Sequence, residues 1–295
     1  MCKTLVFSSA KVAVFGASFL CFAAMGCWSP KPPAPVNPPT VAPPVTVVTP
    51  PVVEQQKPEP AAPPMGDWGT IRGRVLAGGP VEPLKLLVTK GDASAKDSAV
   101  CAAEDVPDES LVVDIATGGI ANVVVYLQKK PATVHPDLEK SQDAEVVFDQ
   151  KGCRFLPHVL LVRTDQQVRV LSDDAIAHNT HTYPLKNKQE NFIVSPGDRT
   201  GVAVPSVGIV ERLPAKIGCD IHPWMQAWWV ILDHPYAAVT KLDGTFEIKD
   251  LPVGDHVFTV WQEKVGYLDK TYKVTVKAGD NDLKPIKVPV ETLTK

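Results

Sequence analysis

The sequence predicts an all-β protein. From Trp68 onward, short runs rich in Val, Ile, Thr, Phe and Tyr alternate with turns containing Gly, Pro, Asp and Asn, a pattern typical of strands with tight connections. This part of the chain has no long stretch with helical periodicity, although a helical turn is expected near residues 136–141. At 295 residues, the chain has room for one large domain or two modest ones. The strand pattern is clearest at residues 70–75, 122–127, 159–163, 168–171 and 245–248.

Residues 1–27 have the features of an export signal. Two lysines supply positive charge, and the apolar stretch at residues 12–25 is short for a membrane span. The segment ends in Ala24-Met25-Gly26-Cys27, which resembles the lipobox of bacterial lipoproteins, although Leu is more usual at the first of these positions. We therefore expect Cys27 to carry lipid and to anchor the protein to a membrane. Ordinary signal cleavage and an uncleaved anchor are the alternatives.

A proline-rich linker, residues 28–66, follows the signal. Between Pro30 and Pro64 it holds 14 of the 29 prolines of the chain and few large apolar residues, so it cannot form a core. We expect a disordered spacer with extended polyproline II character. An anchor, a spacer and a globular body are the layout of a periplasmic or cell-surface protein held away from its membrane.

Charge and motifs argue against several classes of function. The formal net charge is −3 and no basic stripe is present, which argues against nucleic acid as a partner. The sequence shows no Ser-His-Asp set, paired acid–base motif or Gly-rich phosphate loop, so we expect no enzymatic activity.

Two short motifs carry residues that bind metals. Cys219, His222 and Met225 lie in the run Cys-Asp-Ile-His-Pro-Trp-Met, and His178 and His181 lie in His-Asn-Thr-His upstream. Thiolate and thioether are soft donors that suit Cu(I), and imidazole suits both copper oxidation states. Each residue alone could be ordinary core packing. A zinc site made of Cys219, His222 and one upstream histidine, without Met225, is the chief alternative, and a site that binds no metal is another.

These motifs resemble those of the cupredoxins, and the Cys-x2-His-x2-Met spacing resembles the short metal loop of amicyanins. The resemblance covers about a hundred residues and implies a Greek-key β-sandwich holding one type 1 copper ion. It implies His178, Cys219 and His222 as equatorial ligands and Met225 as a weak axial ligand. It also implies an exposed His222 edge as the exit for electrons. The remaining implied roles are a hydrogen-bonding link between strand and loop for Asn179 and an apolar shell for Pro223 and Trp224.

A second resemblance concerns the flanking segments. The tail at residues 238–261, with a hairpin turn at Asp243-Gly244, is similar to the second half of a carboxypeptidase regulatory-like domain, a small transthyretin-like β-sandwich. The first half of that pattern lies far upstream, at residues 71–75 and 121–127. We therefore expect a split sandwich, with a cupredoxin-like insert between its halves. The expected bounds are 67–131 and 235–293 for the sandwich and 132–234 for the insert. Three small β modules in a row are the alternative.

The cysteines and the other histidines lead to further expectations. Three of the six cysteines fall within residues 1–27; if Cys219 binds metal, Cys101 and Cys153 remain as an even pair in an oxidising compartment. A Cys101–Cys153 disulfide is expected, with two buried free thiols as the alternative. We expect His181 to be a surface group or a residue that supports the site, and His158 to be packed or exposed rather than a ligand. His135 and His234 are expected to be linker residues.

Together these features predict an exported, membrane-tethered type 1 copper protein for one-electron transfer, with a redox protein as its unidentified partner. A protein with a single centre of this kind can pass an electron, but it has no open position for a substrate. One alternative is a cell-surface adhesion or carbohydrate-binding sandwich with a structural or vestigial metal. Another is copper storage or delivery.

Overall fold

The structure, a computed structural model, describes residues 68–204 and 207–294. The predicted export signal, Cys27 and the proline-rich linker lie outside these residues. The described chain is mostly β. Its strands are β1 (Trp68–Ala77), β2 (Val124–Leu127), β3 (Glu145–Gln150), β4 (Phe155–Leu156), β5 (Val159–Arg163), β6 (Gln167–Ser172), β7 (His178–Tyr183), β8 (Asn191–Val194), β9 (Val202–Val204), β10 (Ala215–Gly218), β11 (Gln226–Leu232), β12 (Ala237–Val239), β13 (Thr245–Pro252), β14 (Gly254–Gln262), β15 (Gly266–Val276), β16 (Gly279–Asp282) and β17 (Ile286–Val288). Two short helices, α1 (Ser98–Cys101) and α2 (Val290–Leu293), and a 3-10 turn (Pro136–Leu138) complete the described secondary structure.

Among the described residues, no helix is long and apolar enough to span a membrane.

The two ends of the described chain build two sheets together. One has the order β13-β1-β16, with β17 also paired to β1, and the other has the order β12-β2-β14-β15. Apolar side chains from both sheets, including Ile71, Val125, Phe246 and Phe258, form one buried cluster. Strands that are distant in sequence therefore share one core, and the division into a split sandwich and an insert remains our interpretation of this pairing.

The middle of the chain builds two further sheets, with the orders β5-β11-β10-β7-β8 and β4-β3-β6-β9. Their shared core includes Phe148, which stacks on Phe155 with ring centroids 5.0 Å apart and meets Trp229 edge-on at 5.3 Å. In the first of these sheets β10 lies between β7 and β11, with Gly218 paired both to His181 and to Gln226. The loop that begins at Cys219 is therefore held beside the strand that begins at His178.

A smaller apolar cluster joins the two pairs of sheets. Val124 in β2 and Trp261 in β14 belong to the same cluster as Val230 in β11. Trp228, also in β11, meets Trp261 edge-on with ring centroids 5.0 Å apart. His234, expected as a linker residue, is instead 2 % exposed, and its Nε2 lies 3.1 Å from the carbonyl oxygen of Leu127. His234 thus lies in the connection from β11 to β12, but that connection is packed into the structure.

Other sequence predictions can be compared directly with the elements. All five predicted strand segments overlap observed strands, and the predicted helical turn is the 3-10 turn at Pro136–Leu138. Asp243-Gly244 does form a tight turn, in which Gly244 has φ +79°. The turn does not make a hairpin, however, because β12 and β13 belong to different sheets.

The connection between β1 and β2, residues 78–123, packs in part on the two middle sheets rather than on the sheets that contain β1 and β2. We call this connection the excursion. It carries α1, whose last residue, Cys101, is buried in the middle core and forms a disulfide with Cys153. Val88 and Ala102 in this connection form a small apolar cluster that Trp224 also contacts. This excursion therefore lies against the loop that follows Cys219.

Candidate metal centre

Three buried side chains converge between β7 and the loop after β10. His178, Cys219 and His222 each offer a ligand atom, and these atoms all lie within 4.8 Å of one another. The two Nδ1 atoms of the histidines are 3.0 Å apart, and Sγ of Cys219 is 3.8 Å from Nδ1 of His222. The side chains are 0–3 % exposed. The structure thus brings together two nitrogen donors and one sulfur donor. Cys219 and His222 are close in sequence, whereas His178 comes from a separate strand.

The loop from Cys219 to Met225 is closed by its own backbone. The amide of Met225 donates to the carbonyl of His222 at 2.9 Å, and the amide of Cys219 donates to the carbonyl of Met225 at 3.2 Å. The amide of His222 also points to Sγ of Cys219 at 3.4 Å. Met225 is 2 % exposed and belongs to the same buried cluster as Cys219. The spacing in this run therefore returns the chain on itself, with Cys219 and Met225 at the ends of adjacent antiparallel strands.

Asn179 links the first histidine strand to this loop. Its Oδ1 accepts a hydrogen bond from the amide of Asp220 at 2.7 Å and lies 3.2 Å from Sγ of Cys219. Its Nδ2 donates to the Asp220 carboxylate at 2.9 Å. The side chain is 3 % exposed, so these bonds satisfy a buried amide and fix the position of the sulfur relative to β7.

Asp174, which the sequence analysis did not single out, contacts the cluster directly. Its Oδ2 accepts a hydrogen bond from Nε2 of His178 at 2.8 Å, and its carboxylate also accepts from the amides of Gly152 at 2.6 Å and Cys153 at 2.9 Å. A carboxylate on the outer nitrogen of a ligand histidine fixes the tautomer and the ring orientation. The signal in the sequence was an Asp four residues before a candidate ligand.

These contacts set the electrostatics of the cluster. Burial alone would lower the pKa of His178, but the hydrogen bonds to Asp174 and Cys219 outweigh it and raise the pKa to about 9. Burial alone would raise the pKa of Cys219, but hydrogen bonds from His178 and from backbone amides lower it. Burial would likewise raise the pKa of Asp174, yet the bonds from His178 and from two amides lower it. The lowered pKa makes it easier for Cys219 to form the thiolate, which is the form of Cys that binds metals.

His222 is placed differently from the expectation. Its side chain is fully buried, and its Nε2 lies 2.9 Å from Oδ2 of Asp97, a residue of the excursion between β1 and β2. The expected exposed edge of His222 is therefore wrong, because this carboxylate covers it. Trp224 packs at a ring-centroid distance of 5.2 Å from His222. Pro223 is exposed and lies at the surface of the loop, so its expected place in an apolar shell is wrong.

The structure keeps the other candidate histidines out of the cluster. His181 is half-buried and its Nδ1 lies 3.0 Å from the Asp220 carboxylate, while His158 is buried and its Nε2 lies 2.5 Å from Glu263. A second group of close polar side chains, Cys153 with Asp174 and His178, offers no thiolate because Cys153 is bonded to Cys101.

The protein is therefore a mostly β chain with a buried cluster of two imidazoles and one cysteine sulfur. This donor set fits copper, because soft sulfur and imidazole nitrogen together suit both of its oxidation states. Met225 is buried in the same hydrophobic cluster as Cys219, and its thioether is a soft donor type that suits copper rather than zinc.

Several solved structures are similar to part of the chain. Amicyanin from Paracoccus versutus is 15% identical over 36% of this chain and 96% of its own, with a TM-score of 0.25. A purple cupredoxin from Nitrosopumilus maritimus is 18% identical over 30% of this chain and 99% of its own, with a TM-score of 0.25. A copper-containing nitrite reductase from Thermus scotoductus is 19% identical over 30% of this chain and 22% of its own, with a TM-score of 0.22. No protein-family model and no curated protein matches the chain. Similarity at this level assigns the chain to no family.

Proposed function

We propose that this protein binds one type 1 copper ion and carries single electrons between partner proteins. The convergence of His178, Cys219 and His222 within 4.8 Å of one another is the observation that supports the proposal most strongly. Copper in such a site supplies a reversible one-electron change between Cu(II) and Cu(I). The proposal is for an electron carrier of cupredoxin type, not an enzyme.

The surrounding residues would serve this function by holding the ligands still. Asp174 orients His178, and Asn179 ties the Cys219 backbone to β7. The two sheets that carry these residues share a core of large buried side chains, including Trp229 and Phe148. A ligand set held this firmly needs little rearrangement when the charge of the metal changes, which favours fast electron exchange.

The donor set also distinguishes copper from the zinc alternative. A structural zinc site is four-coordinate and takes cysteine thiolate, histidine nitrogen or carboxylate oxygen as donors. His181 points to Asp220, and Asp174 is turned to the outer nitrogen of His178, so neither adds such a donor to the cluster. The buried thioether of Met225 is the further donor that the loop brings nearby, and it suits copper.

The proposal extends to an exported protein, lipid-anchored through Cys27 and located in the periplasm or at the cell surface. The disulfide between Cys101 and Cys153 supports an oxidising compartment, where such bonds persist. The proline-rich segment between Cys27 and β1 would then act as the spacer between membrane and body. A Cys27→Ala variant tests this part by electrophoretic mobility and mass. If the unsubstituted protein carries lipid on Cys27, the variant lacks that lipid mass. If the two proteins show no difference in lipid mass, the anchor is contradicted.

Metal titration followed by redox cycling tests the central proposal. Metal-free protein should take up one Cu(II) per chain, and a one-electron mediator should reduce and reoxidise the bound copper repeatedly without its release. His178→Ala should abolish stable uptake, whereas His181→Ala, which removes a histidine outside the cluster, should leave it unchanged. Copper that binds but cannot be cycled would contradict an electron carrier and favour storage or delivery. Failure to bind copper at all would favour the adhesion alternative.

A further inference from the structure

Both candidate histidine ligands meet a carboxylate on the side that faces away from the cluster. Asp174 accepts from Nε2 of His178 at 2.8 Å, and Asp97 accepts from Nε2 of His222 at 2.9 Å. In each ring this leaves Nδ1 directed toward the other histidine, with the two Nδ1 atoms 3.0 Å apart. Asp174 comes from the same segment as its histidine, whereas Asp97 comes from a position 125 residues away in the chain.

Asp97 is held in place by covalent and packing contacts. It precedes α1 with φ +54°, a left-handed conformation that Asp and Asn tolerate better than most residues. Its carbonyl accepts from the amide of Cys101 at 3.0 Å, and Cys101 is tied to Cys153 by the disulfide. The excursion also packs against Trp224, a residue of the metal loop. The segment that carries Asp97 is thus attached to the middle sheets and packed on the metal loop, although the Asp97 side chain itself is 40% exposed.

We infer that Asp97 is a positioning residue of the metal centre, which orients His222, covers its outer edge and favours the oxidised state of the bound copper. The inference rests on the proposed function. Its physical basis is twofold. A hydrogen bond from Nε2 fixes the tautomer that leaves Nδ1 free to bind, and it makes the imidazole a stronger donor. A negative charge one imidazole ring away from the metal also stabilises the higher positive charge of Cu(II) over that of Cu(I).

Two substitutions separate the hydrogen bond from the charge. Asp97→Asn keeps an acceptor oxygen and suits the left-handed backbone, but it removes the charge. Asp97→Ala removes both. Glu104→Gln is the matched control, because Glu104 is a carboxylate of the same excursion whose side chain is 81% exposed and pairs with Lys90. Neither Asp97 nor Glu104 is a candidate metal ligand, so all three variants should still load with copper.

The first readout is the reduction equilibrium of the copper-loaded protein. One electron from a reduced mediator converts Cu(II) protein to Cu(I) protein and leaves the mediator oxidised by one electron. At a fixed mediator ratio, the Cu(I)/Cu(II) ratio should rise about tenfold in Asp97→Asn, the scale of a lost unit charge near the metal. Glu104→Gln should change it by less than about twofold, because that charge is exposed and screened. Equal ratios in the two variants would overturn the role of the Asp97 charge.

The second readout is Cu(II) affinity by competition with a chelator. Asp97→Ala should bind Cu(II) about 10–100-fold more weakly, the usual cost of losing a group that orients a ligand. Asp97→Asn should retain most of the affinity, because Oδ1 can still accept from Nε2. Unchanged affinity in Asp97→Ala would overturn the orienting role. If the unsubstituted protein binds no redox-active copper, the proposed function fails; if it does and the variants match the control, only this inference fails.

Discussion

Oδ2 of Asp174 lies 2.8 Å from Nε2 of His178, on the ring nitrogen that is not directed at His222. The same carboxylate accepts hydrogen bonds from the amides of Gly152 and Cys153. The segment that carries one half of the disulfide is thereby joined to a candidate copper ligand. The ligand geometry thus depends on residues well outside the metal loop.

Replacement of Asp174 tests this dependence. Asp174→Ala should weaken Cu(II) binding about 10–100-fold, because it removes the acceptor for Nε2 of His178 and the orientation of that ring is then no longer fixed. Chelator competition measures the change. Asp173→Ala is the control, since Asp173 is the adjacent residue and its own carboxylate pairs with Lys151 at the surface. Equal affinities in the two variants would show that Asp174 does not orient the ligand.

Met225 should tune the potential without determining the fold. Met225→Leu keeps the volume of a side chain that is 2 % exposed, so its cost in stability should stay below about 1.5 kcal/mol. Loss of a weak electron donor destabilises Cu(II) more than Cu(I), so the reduction potential should rise while the colour persists. Voltammetry of the variant beside Ile231→Leu, another buried swap, gives the comparison. A potential unchanged from that control would contradict an axial role for Met225.

The sequence pointed to the candidate ligands but not to the carboxylates around them, because the former lie in short motifs and the latter are in part distant in sequence. Cys219, His222 and Met225 fall within seven residues, and their spacing is that of a loop closed between adjacent strands. A short run of apolar residues bounded by turn residues likewise indicated strands such as β5, where buried side chains predominate. The contact between Asp97 and His222 spans 125 residues, and no local pattern encodes it. The prediction of an exposed His222 edge was wrong, because the sequence of the loop does not show that Asp97 from residues 78–123 covers this edge.

The disulfide between Cys101 and Cys153 should stabilise both the fold and the outer side of the site. It closes a loop with a sequence separation of 52, so its removal should lower the free energy of unfolding by about 4 kcal/mol in the chain-entropy account. Urea unfolding of the Cys101→Ala/Cys153→Ala protein measures this. The Cu(I)/Cu(II) ratio should shift in the same direction as in Asp97→Asn, because Asp97 loses its tether. A destabilised variant with an unshifted ratio would contradict the coupling.

Glu211 should make the stability of the protein sensitive to acid. Its carboxylate is 4 % exposed and accepts from the amides of Lys186 and Asn187, each at 2.8 Å, and of Leu185 at 3.1 Å. Burial would raise the pKa of Glu211, but these bonds outweigh it and lower the pKa from its ordinary value of 4.5. A lowered folded-state pKa means that the stabilisation is present above about pH 4.5 and is lost as the pH falls through the folded value.

Substitution of Glu211 measures that contribution. Glu211→Gln should lower the free energy of unfolding by about 2 kcal/mol at pH 7, the scale of hydrogen bonds to a charged group, and should flatten its decline below pH 5. Glu82→Gln, at an exposed carboxylate, should leave both unchanged. The same acid decline in Glu211→Gln as in the unsubstituted protein would assign the effect to other carboxylates.

The visible absorption spectrum of the Cu(II)-loaded protein tests the central claim most directly. A thiolate bound to Cu(II) beside two imidazoles gives an intense charge-transfer band toward the red end of the visible range. We predict this band, at one copper per chain, and its complete loss in Cys219→Ser protein with an unchanged far-UV circular dichroism spectrum. A protein that binds one Cu(II) and remains colourless would contradict a type 1 copper centre at His178, Cys219 and His222.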